Sequence, residues 1–438
     1  TLITSGIGSL NVVAVSAGAA HSLFLTNTGT VYATGQNIYG QLGLGDTVDK
    51  NVPTLITSGI GSLNVVAVST GQHHSLFLTS TGAVYATGYN YWGQLGLGDT
   101  VDKNVPTIIT SGTYSRLMYV NNAPAKYVSV GDGVTNTIAY SYDGISWIGL
   151  GKSIFSTEGF GVAYSAELNR WVAGGYGTNS IAYSTDGITW IGIGTSIFSG
   201  AGQCIAYSAE LNRWVAVGSG TNTIAYSYDG ISWIGLGKSI FSYNAYGVAY
   251  SSELNRWVAV GNGTNRIAYS SDGVTWTGST NSTSIFSTQG RGIAYSAELN
   301  RWVAVGEGTN SIAYSTDGIA WTGIGTSIFS DYGFGVAYSA ELNHWVVVGR
   351  GTNNTIAYST DGITWTGIGR SIFSTTAHGV VYSAELTRWV ATGYGTNNTI
   401  AYSTDGITWS GVGLSTFSSS GYGVAAKIAA LAEITLSA

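Results

Sequence analysis

Carboxylates, tryptophans and histidines recur along this chain at fixed intervals, and the intervals decide what chemistry they can do. An Asp stands at 143, 186, 229, 272, 317, 361 and 405, each inside Ser-x-Asp-Gly-x-x-Trp. A Glu stands at 167, 210, 253, 298, 341 and 385, in Ala-Glu-Leu-Asn or a close variant. Carboxylate catalysis needs two such groups in unlike environments converging on one cleft. Six or seven equivalent copies single out no such pair, so the repeated acids are expected to be turn and strand-end hydrogen-bond acceptors. One carboxylate per turn is also too few for calcium. The five His, at 21, 73, 74, 344 and 378, lack metal-ligand spacing, and a lone Cys204 cannot form an intrachain disulfide. No cofactor and no metal are expected, and the chain is read as a non-enzyme.

The positions where the repeats differ carry more information. After each Ser-x-Phe-Ser the chain varies over about four residues, and this stretch supplies Glu158, Phe160, Tyr243, Tyr246, Arg291, Asp331, Tyr332, Phe334, His378 and Tyr422. A second variable point supplies Tyr176, Glu307, Arg350 and Tyr394, with Asp132, Ser219 and Asn262 at the same place in other copies. Aromatic residues mixed with a few charges suit a surface that binds protein or glycan. These fourteen residues are the candidate ligand-binding set.

The elements that must position them are short strands. One repeat reads as four: Gly161 to Ser165, Arg170 to Ala173, Ser180 to Ser184, and a strand beginning at Thr189-Trp190. Apolar and polar residues alternate, and Gly and Asn bound the runs. Four short strands in 43 to 45 residues make one propeller blade. Strands that run up and down put both variable segments on one face and the constant Ala-Glu-Leu-Asn and Asp-Gly segments on the other. Thirteen of the 14 Trp fall at two repeated positions, and such residues are expected to fill the contacts between blades. Asp-Gly between strands is in addition a hairpin signal.

Two resemblances follow. Thr1 to Gly6 recurs at Thr54 to Gly59 and begins again at Thr107, a period of 53 residues. Each copy holds a His-Ser-Leu-Phe-Leu-Thr run (His21 to Thr26, His74 to Thr79) and a Gly-Gln-Leu-Gly-Leu-Gly-Asp run (Gly40 to Asp46, Gly93 to Asp99). This resembles the regulator of chromosome condensation repeat, which implies propeller blades over 1–112. That family includes a nucleotide exchange factor, but nothing here identifies its partner surface. The Ser-x-Asp-Gly-x-x-Trp marker resembles the Asp-box of bacterial neuraminidase repeats, with the difference that Asp and Gly are adjacent. The Asp-box lies away from the sialidase active site, and the chain has no upstream Arg-Ile-Pro, so this resemblance implies fold and not chemistry.

The expected fold is therefore all-β, a β-propeller of four-stranded blades. Residues 1–112 form two blades, 113–422 form seven, and 423–438 form a closing segment. Either all of them make one large ring of nine or ten blades, with Thr1 to Thr4 pairing against the C-terminal strands, or seven close alone with two blades outside. The larger ring is favoured because it covers apolar faces and strand edges.

Composition narrows the partners. Sixteen Lys and Arg among 438 residues, a net charge of −6 and no basic stripe argue against nucleic acid. No apolar run is long enough to insert in a membrane as a helix. The leading expectation is a recognition scaffold that binds protein or glycan in an extracellular, cell-surface or virion-surface setting. The alternative is a self-assembling subunit of a fibre, capsid or surface layer, and a glycosidase-like enzyme ranks below both. Asn-x-Ser/Thr sites at Asn262, Asn281, Asn353 and Asn397 permit the extracellular setting.

Overall fold

A computed structural model describes residues 6–8, 10–79, 83–109 and 125–427. The chain divides into two compact units, Thr1–Asn122 and Ala123–Ala438. Among the described residues both are built from four-stranded antiparallel sheets, as a β-propeller requires.

The first unit holds two sheets. One runs in order through Val12–Ala17, His21–Thr26, Val31–Gly35 and Lys50–Leu55, and the other through Val65–Thr70, His74–Thr79, Val84–Gly88 and Lys103–Ile108. Leu23, Leu25, Ile56 and Phe77 pack between them. The His21 Nε2 lies 3.0 Å from the Ser75 hydroxyl, which donates to the Gln41 carbonyl. Burial, and then the neighbouring His73 and His74, push the His21 pKa below its ordinary value. The glycine-rich run is shaped by buried Asn37, whose amide donates to Asp46 and whose oxygen accepts the Leu42 N–H. Asn90, Asp99 and Leu95 repeat this arrangement.

The second unit holds seven four-stranded sets in succession, two of them joined into one eight-stranded sheet where Glu307 pairs with Tyr332. In the copy that contains Trp171 the strands are Glu158–Ser165, Arg170–Tyr176, Ile181–Ser184 and Ile191–Gly192. The expected Asp-Gly hairpin is longer than a two-residue turn, spanning 185–190. There the Asp186 carboxylate accepts the N–H groups of Ile188 and Thr189, while Ser184 Oγ accepts that of Gly187. Burial opposes ionisation of Asp186, but these hydrogen bonds outweigh it and hold its pKa below the ordinary value.

Neighbouring sheets are laced together. Arg170, at the start of a second strand, donates to the carbonyl of Asp229 in the next sheet's turn. Arg213, Arg256 and Arg301 do the same to Asp272, Asp317 and Asp361, and His344 Nδ1 lies 3.1 Å from the Asp405 carbonyl. Arg388, in the last sheet, reaches the carbonyl of Asp143 in the first, and the Ala125 N–H completes the cycle on Asp186. Between the sheets lie Trp171, Trp214, Trp257, Trp302, Trp345 and Trp389, all fully buried. The seventh such place is taken by Tyr127, which packs against Val390 and Phe417 and donates to the Arg388 carbonyl.

The seven innermost strands neighbour one another, and the last, Ser420–Ala426, pairs with Tyr127–Asp132. Within the second unit, then, the strand beside Tyr127–Asp132 is Ser420–Ala426, so the last of these sheets' successive strands meets the first. Thr1 to Thr4 lie outside the described residues.

Asn169, Asn212, Asn255, Asn300 and Asn343 adopt positive φ, and Thr387 takes the same place with φ 44°. A β-branched residue is poorly suited to that region. Five of these turns also bind a first-strand tyrosine, as Tyr338 Oη does to Asn343 at 2.8 Å. Tyr382, opposite Thr387, donates to Glu341 instead. Thr387→Asn is expected to stabilise the fold by about 1 kcal/mol in equilibrium urea unfolding. Trp302→Ala, which empties a contact lined by Val258, Val260 and Ile267, is expected to cost about 3–5 kcal/mol in the same measurement.

Candidate functional site

The variable residues meet at one end of the second unit's sheets. Antiparallel pairing sets the start of each first strand beside the end of its second strand, as Glu158 beside Tyr176 and Tyr332 beside Arg350. Residues expected in connections are thus largely strand residues. Their variability survives because each first strand is bulged there.

The register of each first strand slips by one residue between two small residues: Gly159 and Gly161, Gly202 and Cys204, Ala245 and Gly247, Gly290 and Gly292, Gly333 and Gly335, Ala377 and Gly379, Gly421 and Gly423. A bulge leaves one residue without a cross-strand partner and re-aims its side chain. The seven bulged residues are Phe160, Gln203, Tyr246, Arg291, Phe334, His378 and Tyr422, and all are half-buried. A glycine follows six of the seven bulges, with Cys204 at the other, and permits the next strand to approach. A Cβ at Gly335 would sit 2.6 Å from the His378 carbonyl oxygen.

Bulged side chains from successive sheets touch. The ring centroids of Phe334 and His378 are 4.7 Å apart, those of His378 and Tyr422 4.9 Å, and those of Tyr422 and Phe160 5.4 Å. The Arg291 guanidinium lies 4.5 Å from the Phe334 centroid, 5.1 Å from Tyr332 and 5.5 Å from Tyr246. Six of the seven thereby form a collar, with Gln203 between its ends.

Charges flank it. Glu307 takes Arg291 at 3.4 Å and accepts from Gln289 Nε2 at 2.6 Å. Asp331 takes Arg350 at 3.1 Å, and Arg350 also donates to the Tyr332 hydroxyl at 3.0 Å. The sector around Tyr422 is different. Burial, then Glu158 and Asp132, push the Tyr422 hydroxyl up to about 12. Burial, then Asp132, also raise the Glu158 pKa, against the pull of Lys152.

Of the fourteen candidates, eleven gather here: Glu158, Phe160, Tyr246, Arg291, Glu307, Asp331, Tyr332, Phe334, Arg350, His378 and Tyr422. Tyr176, Tyr243 and Tyr394 are exposed and stand outside the collar. Gln203, Gln289 and Asp132 belong with the eleven and were not among the fourteen. Their positions in the repeat are those of chosen residues, which was the available signal. Two small clefts elsewhere, one beside Ile240 and Trp276 and the other beside Ile372 and Trp409, are lined by no ionisable side chain.

Residues 28–78 and 81–136 match the Regulator of chromosome condensation (RCC1) repeat, and a second description of that repeat matches 12–41 and 65–94. The chain carries RCC1 repeats. It is 39% identical over 115 residues to the mouse "Probable E3 ubiquitin-protein ligase HERC4", covering 26% of this chain and 11% of that protein. It is 46% identical over 84 residues to human "Protein RCC2", covering 19% of this chain and 16% of that one. The chain thus spans a small fraction of these relatives, and RCC1 likeness lies in its N-terminal third. A solved protein from Lactobacillus plantarum superposes with TM-score 0.50 at 15% identity, over 68% of this chain and 98% of that one. That likeness is of fold alone.

His378 gives the collar a measurable signature. Its Nδ1 lies 3.1 Å from the Gly421 carbonyl oxygen. Burial, then Arg291, lower its pKa from 6.5 to about 4, against the pull of that carbonyl. Between these values the folded protein keeps His378 neutral while the unfolded chain protonates it. The stability this represents, at most about 3 kcal/mol, is present above pH 6.5 and lost as pH falls toward 4. His378→Gln is expected to flatten the fall in Tm over that window relative to the parent, as read by circular dichroism.

Proposed function

We propose that the chain is a non-catalytic recognition scaffold. In this reading the second unit is a seven-bladed propeller that holds a protein partner against its collar. One observation carries the reading: seven structurally equivalent bulges present five different residue types, while the turns, tryptophans and lacing arginines around them stay nearly constant. A rigid frame with variable side chains at one place is how recognition surfaces are built.

RCC1 repeats in the N-terminal third support a scaffold role, since repeat propellers offer broad, rigid surfaces. A protein is favoured over a glycan because the collar mixes aromatic faces with two ion pairs, the make-up of protein interfaces. The likeness of the seven Ser-x-Asp-Gly turns to Asp-boxes belongs to the same reading, and the carboxylate holding each turn supports it. So does an extracellular or surface setting, for which Asn353 and Asn397 stand exposed in Asn-x-Thr sequences.

The test is capture of partners from the native source by the full chain and by Tyr332→Ala/Phe334→Ala, followed by affinity measurement with the purified partner. The double variant is expected to bind at least tenfold more weakly, as loss of two central aromatics does at a protein interface. Equal affinity of the two proteins would remove the collar from the contact. Selective binding to a glycan array would replace the protein partner with a sugar.

A further inference from the structure

Two sectors of the collar share ingredients and differ in one respect. In the first, Arg291 lies over Phe334 and Tyr332, and Glu307, at the end of the second strand of the same sheet, neutralises it. The guanidinium there has what a partly buried cation needs: aromatic faces and a carboxylate.

The second sector stands at the ring closure. Tyr422 occupies the place of Arg291, Asp132 that of Glu307, Phe160 that of Phe334, and Glu158 that of Tyr332. The rings of Phe160 and Tyr422 touch, and both carboxylates lie close enough to raise the Tyr422 hydroxyl pKa. Neither Glu158 nor Asp132 forms an ion pair among the described residues. The nearby Lys152 ammonium donates to the Gly133 carbonyl at 3.1 Å. Two like charges and two aromatic faces therefore converge on one sector, where the nearby Lys152 draws on Glu158 without forming the ion pair that balances Arg291 in the other.

We infer that this sector receives a basic side chain, an arginine above all, presented by an extended segment of a protein partner. The planar guanidinium stacks against Phe160 and Tyr422 while its N–H groups donate to Glu158 and Asp132. The complementarity is of charge and of shape: anionic oxygens beside π faces attract a flat, weakly hydrated cation and repel an acidic segment. This rests on the recognition reading above and names the chemistry of the partner.

The test uses the full chain and four blocked pentapeptides, Gly-Gly-X-Gly-Gly, with X as arginine, lysine, citrulline or glutamate, titrated by NMR at low salt. The arginine peptide is expected to bind at least tenfold more tightly than the citrulline peptide, and the glutamate peptide not to bind. Citrulline keeps the shape and loses the charge. Glu158→Gln/Asp132→Asn is expected to weaken arginine binding at least tenfold. Phe160→Leu, which keeps apolar bulk but removes the ring face, is expected to weaken it severalfold, and Tyr243→Ala to leave it unchanged. Equal binding of arginine and citrulline, full binding by the double carboxylate variant, or no arginine-dependent signal up to about 10 mM peptide overturns the inference. A natural partner that holds the double carboxylate variant as tightly as the parent, yet is lost from Tyr332→Ala/Phe334→Ala, overturns the cation site and leaves the recognition surface standing.

Discussion

The second unit depends on one repeated hydrogen bond, from a basic side chain at the start of a second strand to the main-chain carbonyl of an Asp one sheet further on. That carbonyl is a good anchor because its own residue is fixed. The Asp carboxylate accepts two turn N–H groups, and the preceding Ser orders a third. The turn therefore presents its carbonyl in one direction. The Trp beneath the lacing fills the contact between sheets, where dispersion and burial act over a large area. The lace gives direction and the Trp gives cohesion. Where the ring joins itself, Arg388 and Tyr127 keep both roles with one substitution, Tyr for Trp.

The collar is a consequence of this frame. Seven first strands drawn close together leave little room for side chains between them, and a glycine beside most bulges answers that constraint. A bulge then turns one side chain per strand out of the crowded contact. At Cys204 the usual glycine is replaced, and its thiol sits 3.9 Å from the Val248 carbonyl, a small group accommodated at the same junction. Burial raises that thiol's pKa above its ordinary value. The frame is thus nearly indifferent to what each bulge carries, which is what allows Phe, Gln, Tyr, Arg and His to share one structural position.

Much of this was legible in the residues. The recurring Ser-x-Asp-Gly-x-x-Trp gave turn and strand positions to within a few residues, because turn chemistry is local and strand alternation has a short period. The variable residues, expected in connections, lie largely on strands. The pattern of a variable residue between two small ones, as in Gly159-Phe160-Gly161, is a bulge signal that alternation alone does not separate from a loop. Ring closure was harder to read. Whether Ser420–Ala426 pairs with Tyr127–Asp132 or with some other edge depends on which contact is made nearly three hundred residues away, and no local propensity encodes that choice.

The strand from Ser420 to Ala426 also sets an order of events during synthesis. The sheet containing Tyr127–Asp132 emerges from the ribosome first among the seven, yet its innermost place is filled only when the last of them has been made. Until then its hydrogen-bonding edge is open, and a nascent neighbour carrying the same Gly-Tyr-Gly-Val-Ala run is a ready substitute. A ring fastened by its two ends invites exchange of that strand between molecules at high concentration, and crowded polysomes are where such exchange would first take hold.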